Sequence, residues 1–217
     1  MHSTVRGILC AVLLTPMTFA GTISAVNSAG ALGANDYIDW GQLGSDLTTV
    51  TGPFGVISNL GESATGDGPG EFWSVQQGNT WGGNFALGDN VLYSTSPGVF
   101  TITFLAPIRG AGLQFQSSNF GAFAAEITAF GAGDVNFGSV SSNGTSSGAG
   151  DGSAVFLGVV STAQDIVKLQ FNVQISRLDT DFAVNRLQIL STPDTAIPEP
   201  STISMGVAGL LALAALR

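Results

Sequence analysis

The sequence predicts an all-β fold: a single jelly-roll-like antiparallel β-sandwich, flanked by a short apolar helix at each end. Three observations predict it. Residues 166–175 read IVKLQFNVQI, in which Val167, Leu169, Phe171, Val173 and Ile175 alternate with Lys168, Gln170, Asn172 and Gln174. A period of two is the mark of a strand with one face buried. Many short runs of this kind are separated by clusters of Gly, Asn, Asp and Ser, which is turn chemistry. The body between the ends shows no stretch of helical periodicity.

The chain opens with Met1 to Arg6, which carries one positive charge, and continues with Gly7 to Ala20, apolar apart from Thr15 and Thr18. Small residues follow, with cleavage expected after Ala20 or Ala25. The run is too short for an anchor and exits through small residues, so residues 1–25 read as a secretory signal peptide and form the N-terminal signal helix. Cys10 lies inside the run and so does not read as a lipid acceptor at a cleavage point.

Residues 26–191 form the β-sandwich domain. Phe100, Ile102 and Phe104 share one face of VFTITFLA, with Thr101 and Thr103 on the other. Further strands are expected at 72–77, 91–95, 111–116, 125–130, 138–142, 154–160 and 182–190. GESATGDGPG (61–70) and SSNGTSSGAGDGS (141–153) read as loops, and Asn143-Gly144-Thr145, which matches a glycosylation sequon, reads as a turn. Many short strands at close spacing suggest two packed antiparallel sheets. Residues 192–197 are a linker in a Pro-rich polar stretch, and 198–217 are a distinct tail.

Composition narrows the chemistry. His2 is the only histidine and Cys10 the only cysteine among 217 residues, and both sit in the leader. The processed protein is therefore expected to lack disulfides, thiolate nucleophiles, Ser-His-Asp triads and zinc sites built on His or Cys. The basic residues are Arg6, Arg109, Lys168, Arg177, Arg186 and Arg217. Loss of both ends leaves four of them against 14 or 15 acidic residues, a net charge of about −10 to −11. No basic stripe remains to neutralise phosphates, so nucleic acid is not an expected partner. Acidity instead aids solubility and can favour divalent cations.

The tail reads TAIPEPSTISMGVAGLLALAALR. Its apolar run, Ile203 to Leu216, is 14 residues long. As a helix it reaches roughly 21 Å, short of the about 30 Å hydrocarbon core of a bilayer. Pro198-Glu199-Pro200, then Ser201-Thr202, then this C-terminal apolar helix ending in Arg217, resemble the PEP-CTERM sorting signal of exported Gram-negative proteins. One departure is that family tails finish with several arginines, whereas Arg217 stands alone. The resemblance implies a membrane-embedded exosortase as partner, transient membrane contact through the tail, and cleavage near Pro-Glu-Pro. It also implies release to the cell surface or exterior, in association with exopolysaccharide and biofilm matrix. A short helix suffices for transient capture, Arg217 favours the cytoplasmic side, and the two prolines keep the approach extended. The body is similar to secreted β-sandwich domains that accompany this tail, through NFALGDNVLYST (84–95), FTITFLAPIRGAGLQFQ (100–116), GDGSAVFLGVVS (150–161) and FAVNRLQIL (182–190).

Trp73, Trp81, Phe85 and Tyr93 gather in one Gly/Asn-rich region. Exposed, they could stack sugar rings, with Asn79 and Asn84 as polar partners; packing in core and loops is the competing use. Trp73, Trp81 and Tyr93 are the expected ligand-binding residues. Asp151, Asp165, Asp179 and Asp181 fall in loops beside strands and could hold calcium, Asp179 and Asp181 first; the spacing lacks the DxDxDG pattern, and solvated acidic loops are the competing use. Asn185 shares parity with Ala183, Leu187 and Ile189, and if buried must be hydrogen-bonded. No catalytic residue is expected. The body's glutamates are Glu62, Glu71 and Glu126; Glu126, facing away from Ala125 and Ile127, fits a surface position.

The reading is a non-enzymatic, exported matrix or surface protein without a required cofactor, with affinity for extracellular polysaccharide. The alternative is a secreted polysaccharide hydrolase or lyase using paired carboxylates. A minor one is ice binding, for which Thr101-Ile102-Thr103 stands alone as a Thr-x-Thr unit.

Overall fold

A computed structural model describes residues 21–191. The leader through Ala20, the linker 192–197 and the tail with Pro198, Glu199, Pro200 and Arg217 lie outside the described residues, as does the expected C-terminal helix; of the expected N-terminal helix only residues 21–25 are described, and there Ile23–Ala25 are strand, paired into the sandwich, not helix.

The strands are β1 (Ile23–Val26), β2 (Asp36–Ile38), β3 (Thr48–Thr51), β4 (Phe54–Ile57), β5 (Ser63–Asp67), β6 (Glu71–Gln76), β7 (Asn90–Ser94) and β8 (Phe100–Ile108). They continue with β9 (Gly110–Ser117), β10 (Gly121–Phe130), β11 (Asn136–Ser146), β12 (Val155–Ser161), β13 (Ile166–Ile175), β14 (Leu178–Asp179), β15 (Phe182–Val184) and β16 (Leu187–Leu190). One helical turn, α1 (Ala29–Leu32), follows β1, capped by Ser28 Oγ, which accepts from the Ala31 N–H at 3.1 Å, and closed by Gly33 in the left-handed region.

These strands build two antiparallel sheets. The nine-stranded sheet runs β1-β12-β9-β15-β7-β6-β3, with β16 joining β9 to β2. The seven-stranded sheet runs β11-β10-β13-β8-β5-β4, with β14 against β13. They pack face to face as a β-sandwich, because each contributes one apolar face to a common core. Phe100, Ile102, Phe104, Leu169, Phe171, Val173, Ala125, Ile127 and Ala129 come from the seven-stranded sheet. Phe72, Leu92, Leu113, Phe115, Leu157, Phe182, Leu187 and Ile189 face them from the other.

Period-two reasoning located β6 to β13 but failed at four places, each for a physical reason. In β13 the inward residue at the start is Ile166, not Val167, because the register against β8 shifts between Ile166 and Lys168. The stretch 61–70 is not all loop: Ser63–Asp67 is β5, hydrogen-bonded between β4 and β8. Its inward positions are the small Ala64 and Gly66, since the Phe54 ring lies where a Gly66 side chain would be. Asn143-Gly144-Thr145 is strand, not turn: β11 runs on to Ser146, with Gly144 beneath Phe123 and Val155.

The fourth is Asn185. Residues 182–190 are not one strand but two, both lying along β9. β15 bridges to β7 and β16 to β2, and Asn185 with Arg186 makes the break. Parity therefore switches: Phe182 and Val184 face the core before it, Leu187 and Ile189 after it, and Ala183 faces outward. The Asn185 side chain closes the gap. Its Oδ1 accepts from the Gln114 N–H at 3.0 Å, and its Nδ2 donates to Gln114 Oε1 at 2.6 Å and Asp89 Oδ2 at 3.1 Å. Its carbonyl accepts from Trp40 Nε1 at 2.7 Å. Its use is structural, as a hydrogen-bonded clasp.

Phe100 is the hub of the core, so Phe100→Ala is expected to cost about 3–5 kcal/mol of unfolding free energy. Thr101→Ala on the opposite face should stay within about 0.5 kcal/mol. Urea unfolding of both variants checks the contrast, and equal losses would refute this placement of the core.

Candidate functional site

The outer face of the nine-stranded sheet carries a cross-strand row set by register alone. Thr49 on β3 stands opposite Trp73 on β6, Trp73 opposite Tyr93 on β7, Tyr93 opposite Ala183 on β15, and Ala183 opposite Gln116 on β9. The Trp73 and Tyr93 rings meet edge to face, centroids 6.5 Å apart. Trp81 reaches the row from the loop after β6. Its ring lies 4.9 Å from Tyr93, and its Nε1 donates to Gln116 Oε1 at 3.4 Å. Gln116 is itself held, since its Oε1 accepts from the Asn84 N–H at 2.8 Å and its Nε2 donates to the Ser147 carbonyl at 3.0 Å.

The three expected aromatics thus come together, with unequal exposure. Trp73 keeps 39% of its surface open, while Trp81 and Tyr93 are half-buried. Phe85 does not join them: it is fully buried, with Val75, Val91, Ala154 and Ala183, in a second apolar cluster against which Trp81 and Tyr93 pack. The expected polar partners also lie elsewhere. Asn84 is buried, its Nδ2 donating to Ser147 Oγ and Ser153 Oγ at 2.9 and 3.0 Å. Asn79 Nδ2 donates to Asp46 Oδ2 at 2.5 Å. Gln116 and Asp181 are the polar groups actually beside the rings. Gln116 was legible as a polar residue of alternating AGLQFQ; the pairing of Asp181 with a residue 88 positions away was not.

Tyr93 Oη donates to Asp181 Oδ2 at 2.7 Å. Burial of the phenol, reinforced by that hydrogen bond and by the carboxylate charge, pushes Tyr93 up to about 12. Burial opposes ionisation of Asp181, but hydrogen bonds from Tyr93, Ser118 and Thr180 outweigh it and hold the carboxyl below its ordinary range.

Asp179 faces another way. Its Oδ1 accepts from Asn172 Nδ2 and Gln174 Nε2, each at 2.9 Å, on the seven-stranded sheet. Those two bonds lower its pKa. Asp181 is thus held by Tyr93 and Asp179 by Asn172 and Gln174, each carboxylate with partners of its own. Among the described residues no group of three or more His, Cys, Asp or Glu gathers as ligands would. Asp151 accepts from the Ser153 N–H at 3.0 Å, and Asp165 from the Gly21 N–H at 2.5 Å.

The outer face of the seven-stranded sheet is of another kind. Thr101, Gln170, Thr128 and Ser139 form one cross-strand row, Thr65, Thr103 and Lys168 a second, and Asn172, Glu126 and Ser141 a third. Glu126 is exposed between fully buried Ala125 and Ile127. Open depressions on the described surface include one at Gly44-Asp46-Ser74-Asn90, one at Asn27-Gln114-Arg186 and one at Thr65-Thr103-Leu105.

No family model and no curated protein matches the chain. It is similar to the crystal structure of a DUF4465 family protein from Bacteroides caccae, with TM-score 0.45 and 9% identity, over 73% of this chain and 100% of that one.

Folding raises the Tyr93 pKa, so its contribution to stability is whole below about pH 10 and is lost as pH climbs through about 12. Folding lowers that of Asp181, whose contribution is whole above about pH 4 and is lost as pH falls through its folded value. Tyrosinate absorbance of the folded protein should therefore show a late step near pH 12. Tyr93→Phe removes that step and Asp181→Asn brings it to lower pH; a late step that survives Tyr93→Phe would show that Tyr93 is not its source.

Proposed function

We propose that the chain is an exported, non-enzymatic surface or matrix protein whose β-sandwich body, jelly-roll-like in connectivity, binds extracellular polysaccharide. The observation that carries this reading is the row Thr49–Trp73–Tyr93–Ala183–Gln116, in which Trp73 is held edge-on by Tyr93 yet left open to solvent. Sugar rings present C–H faces that stack on aromatic rings and hydroxyls that need amide or carboxylate partners. Trp73 offers the ring, and Thr49 beside it and Glu71 two residues along the same strand offer polar partners.

The amide- and hydroxyl-rich face of the other sheet supports a matrix role. A polysaccharide hydrolase or lyase would need two carboxyl groups about 5–10 Å apart across a cleft. Export rests on the leader, and sorting by an exosortase on Pro198-Glu199-Pro200 and the apolar run before Arg217.

Binding is tested on a glycan array with the full chain, with and without calcium, followed by titration of the retained glycan. Trp73→Ala is expected to weaken its Kd about tenfold. Retention of no glycan, or one indifferent to Trp73→Ala, would overturn the binding reading. Sorting is tested by mass spectrometry of the mature protein from its native host: the C-terminus should fall near Pro198-Glu199-Pro200, and a chain still ending at Arg217 would exclude cleavage.

A further inference from the structure

Gly21 sits in a cradle built from the turn between β12 and β13. Its N–H donates to Asp165 Oδ2 at 2.5 Å, across 144 residues of sequence. The next residue is pinned from both sides: the Thr22 N–H donates to Thr162 Oγ1, and the Thr162 N–H to the Thr22 carbonyl, each at 3.1 Å. The turn itself is held by the Ala163 N–H donating to Ser161 Oγ at 3.2 Å. A side chain at position 21 would press on Ser161 Oγ, Asp165 Oδ2 and the Ala163 backbone, so the niche favours glycine. Chain and cradle then run on together as β1 paired with β12, from Ile23 opposite Ser161 to Val26 opposite Gly158.

One oxygen in this niche has no partner among the described residues. Asp165 Oδ1 is buried and accepts no hydrogen bond, while Oδ2 receives only the single proton that a peptide N–H can give. A buried carboxylate oxygen left unsatisfied is costly and calls for explanation. A donor with more protons at the same nitrogen would resolve it. The residues before Gly21 are Thr18-Phe19-Ala20, small at the last and third-last positions as a signal peptidase requires. A cut after Ala25 would place Ile23 at the third-last position and remove most of β1.

We propose that the chain is processed between Ala20 and Gly21, and that the new α-ammonium of Gly21 docks on both carboxylate oxygens of Asp165, locking the N-terminus into the sandwich. Hydrolysis adds water across the Ala20–Gly21 peptide bond; Ala20 departs with the carboxylate, and the Gly21 amine takes up a proton. The ammonium then has three N–H donors where the peptide had one, enough for Oδ2 and the orphaned Oδ1 together. Cleavage occurs on the unfolded chain during export, so the burial of Gly21 in the finished fold does not hinder it. Processing thereby completes the fold: a leader that stays attached leaves Asp165 half satisfied.

This inference rests on the export reading, and one experiment separates the two. The full chain is exported from a Gram-negative host, its N-terminus is sequenced, and its α-amine is acylated at neutral pH. The first residue is expected to be Gly21, with an α-amine that reacts about tenfold more slowly in the folded protein than in the same protein in denaturant. Asp165→Asn should remove most of that protection. The folded-versus-unfolded comparison uses the wild-type chain, so it decides the matter even if the variant does not fold. A correctly exported chain that begins at Val26 or any other residue overturns the inference alone, as does a Gly21 amine equally reactive in both states. A leader left uncut overturns the export reading as well.

Discussion

Phe100 touches rings from both layers of the sandwich. Its centroid lies 5.1 Å from Phe72 on the nine-stranded sheet, and 5.6 and 6.3 Å from Phe171 and Phe54 on its own. The seam continues from Phe171 to Phe115 and on to Phe182, each step near 6 Å, so the line of rings crosses between the sheets at Phe72–Phe100 and again at Phe171–Phe115. The described residues contain neither cysteine nor histidine, and no disulfide can share this task. Ion pairs contribute little: Lys168 with Asp134 and Arg186 with Asp39 both have a partner open to solvent. Burial of apolar area, sharpened by tilted and edge-on ring contacts, is what holds one sheet against the other.

Once the inner faces are committed to that seam, strand alternation dictates two very different outer faces. On the seven-stranded sheet the outward residues are mostly Thr, Ser, Asn and Gln, half-buried or exposed. On the nine-stranded sheet, Val75, Val91 and Ala183 point outward yet are buried, because the loop from Gln77 to Asp89 folds back over them with Phe85 as its plug. Trp81 and Tyr93 stand at the margin of that covered patch, and Trp73 is the first ring beyond it. The aromatic row is therefore the rim of a small second core, which gives Trp73 a rigid setting and an open face at once.

Asn185 and Asp181 show how polar side chains organise what packing leaves open. Asn185 supplies the hydrogen bonds lost where β15 hands over to β16, and so lets consecutive residues serve different neighbouring strands. Asp181 ties the strand-entry loop before β15 to the Tyr93 hydroxyl, coupling the rim of the aromatic row to the centre of the sheet. Gly21 and Asp165 make the same kind of long-range tie at the opposite margin, just ahead of the edge strand β1.

The alternation of Leu169, Phe171 and Val173, the Thr101/Thr103 face and the empty inventory of His and Cys in the body could all be read along the chain, because each is written in the residues themselves or in neighbours a few positions apart. What could not be read were relations between distant segments. Ser63–Asp67 looks like loop until Phe54 explains its small residues; Val167 and Ala183 obey period two until a bulge and a break shift the register. Trp73 and Tyr93 are close in sequence, but their alignment with Ala183, Gln116 and Asp181 is set by which strands pair. Register and loop-over-sheet packing are settled by the whole core at once, and a local pattern carries no record of them.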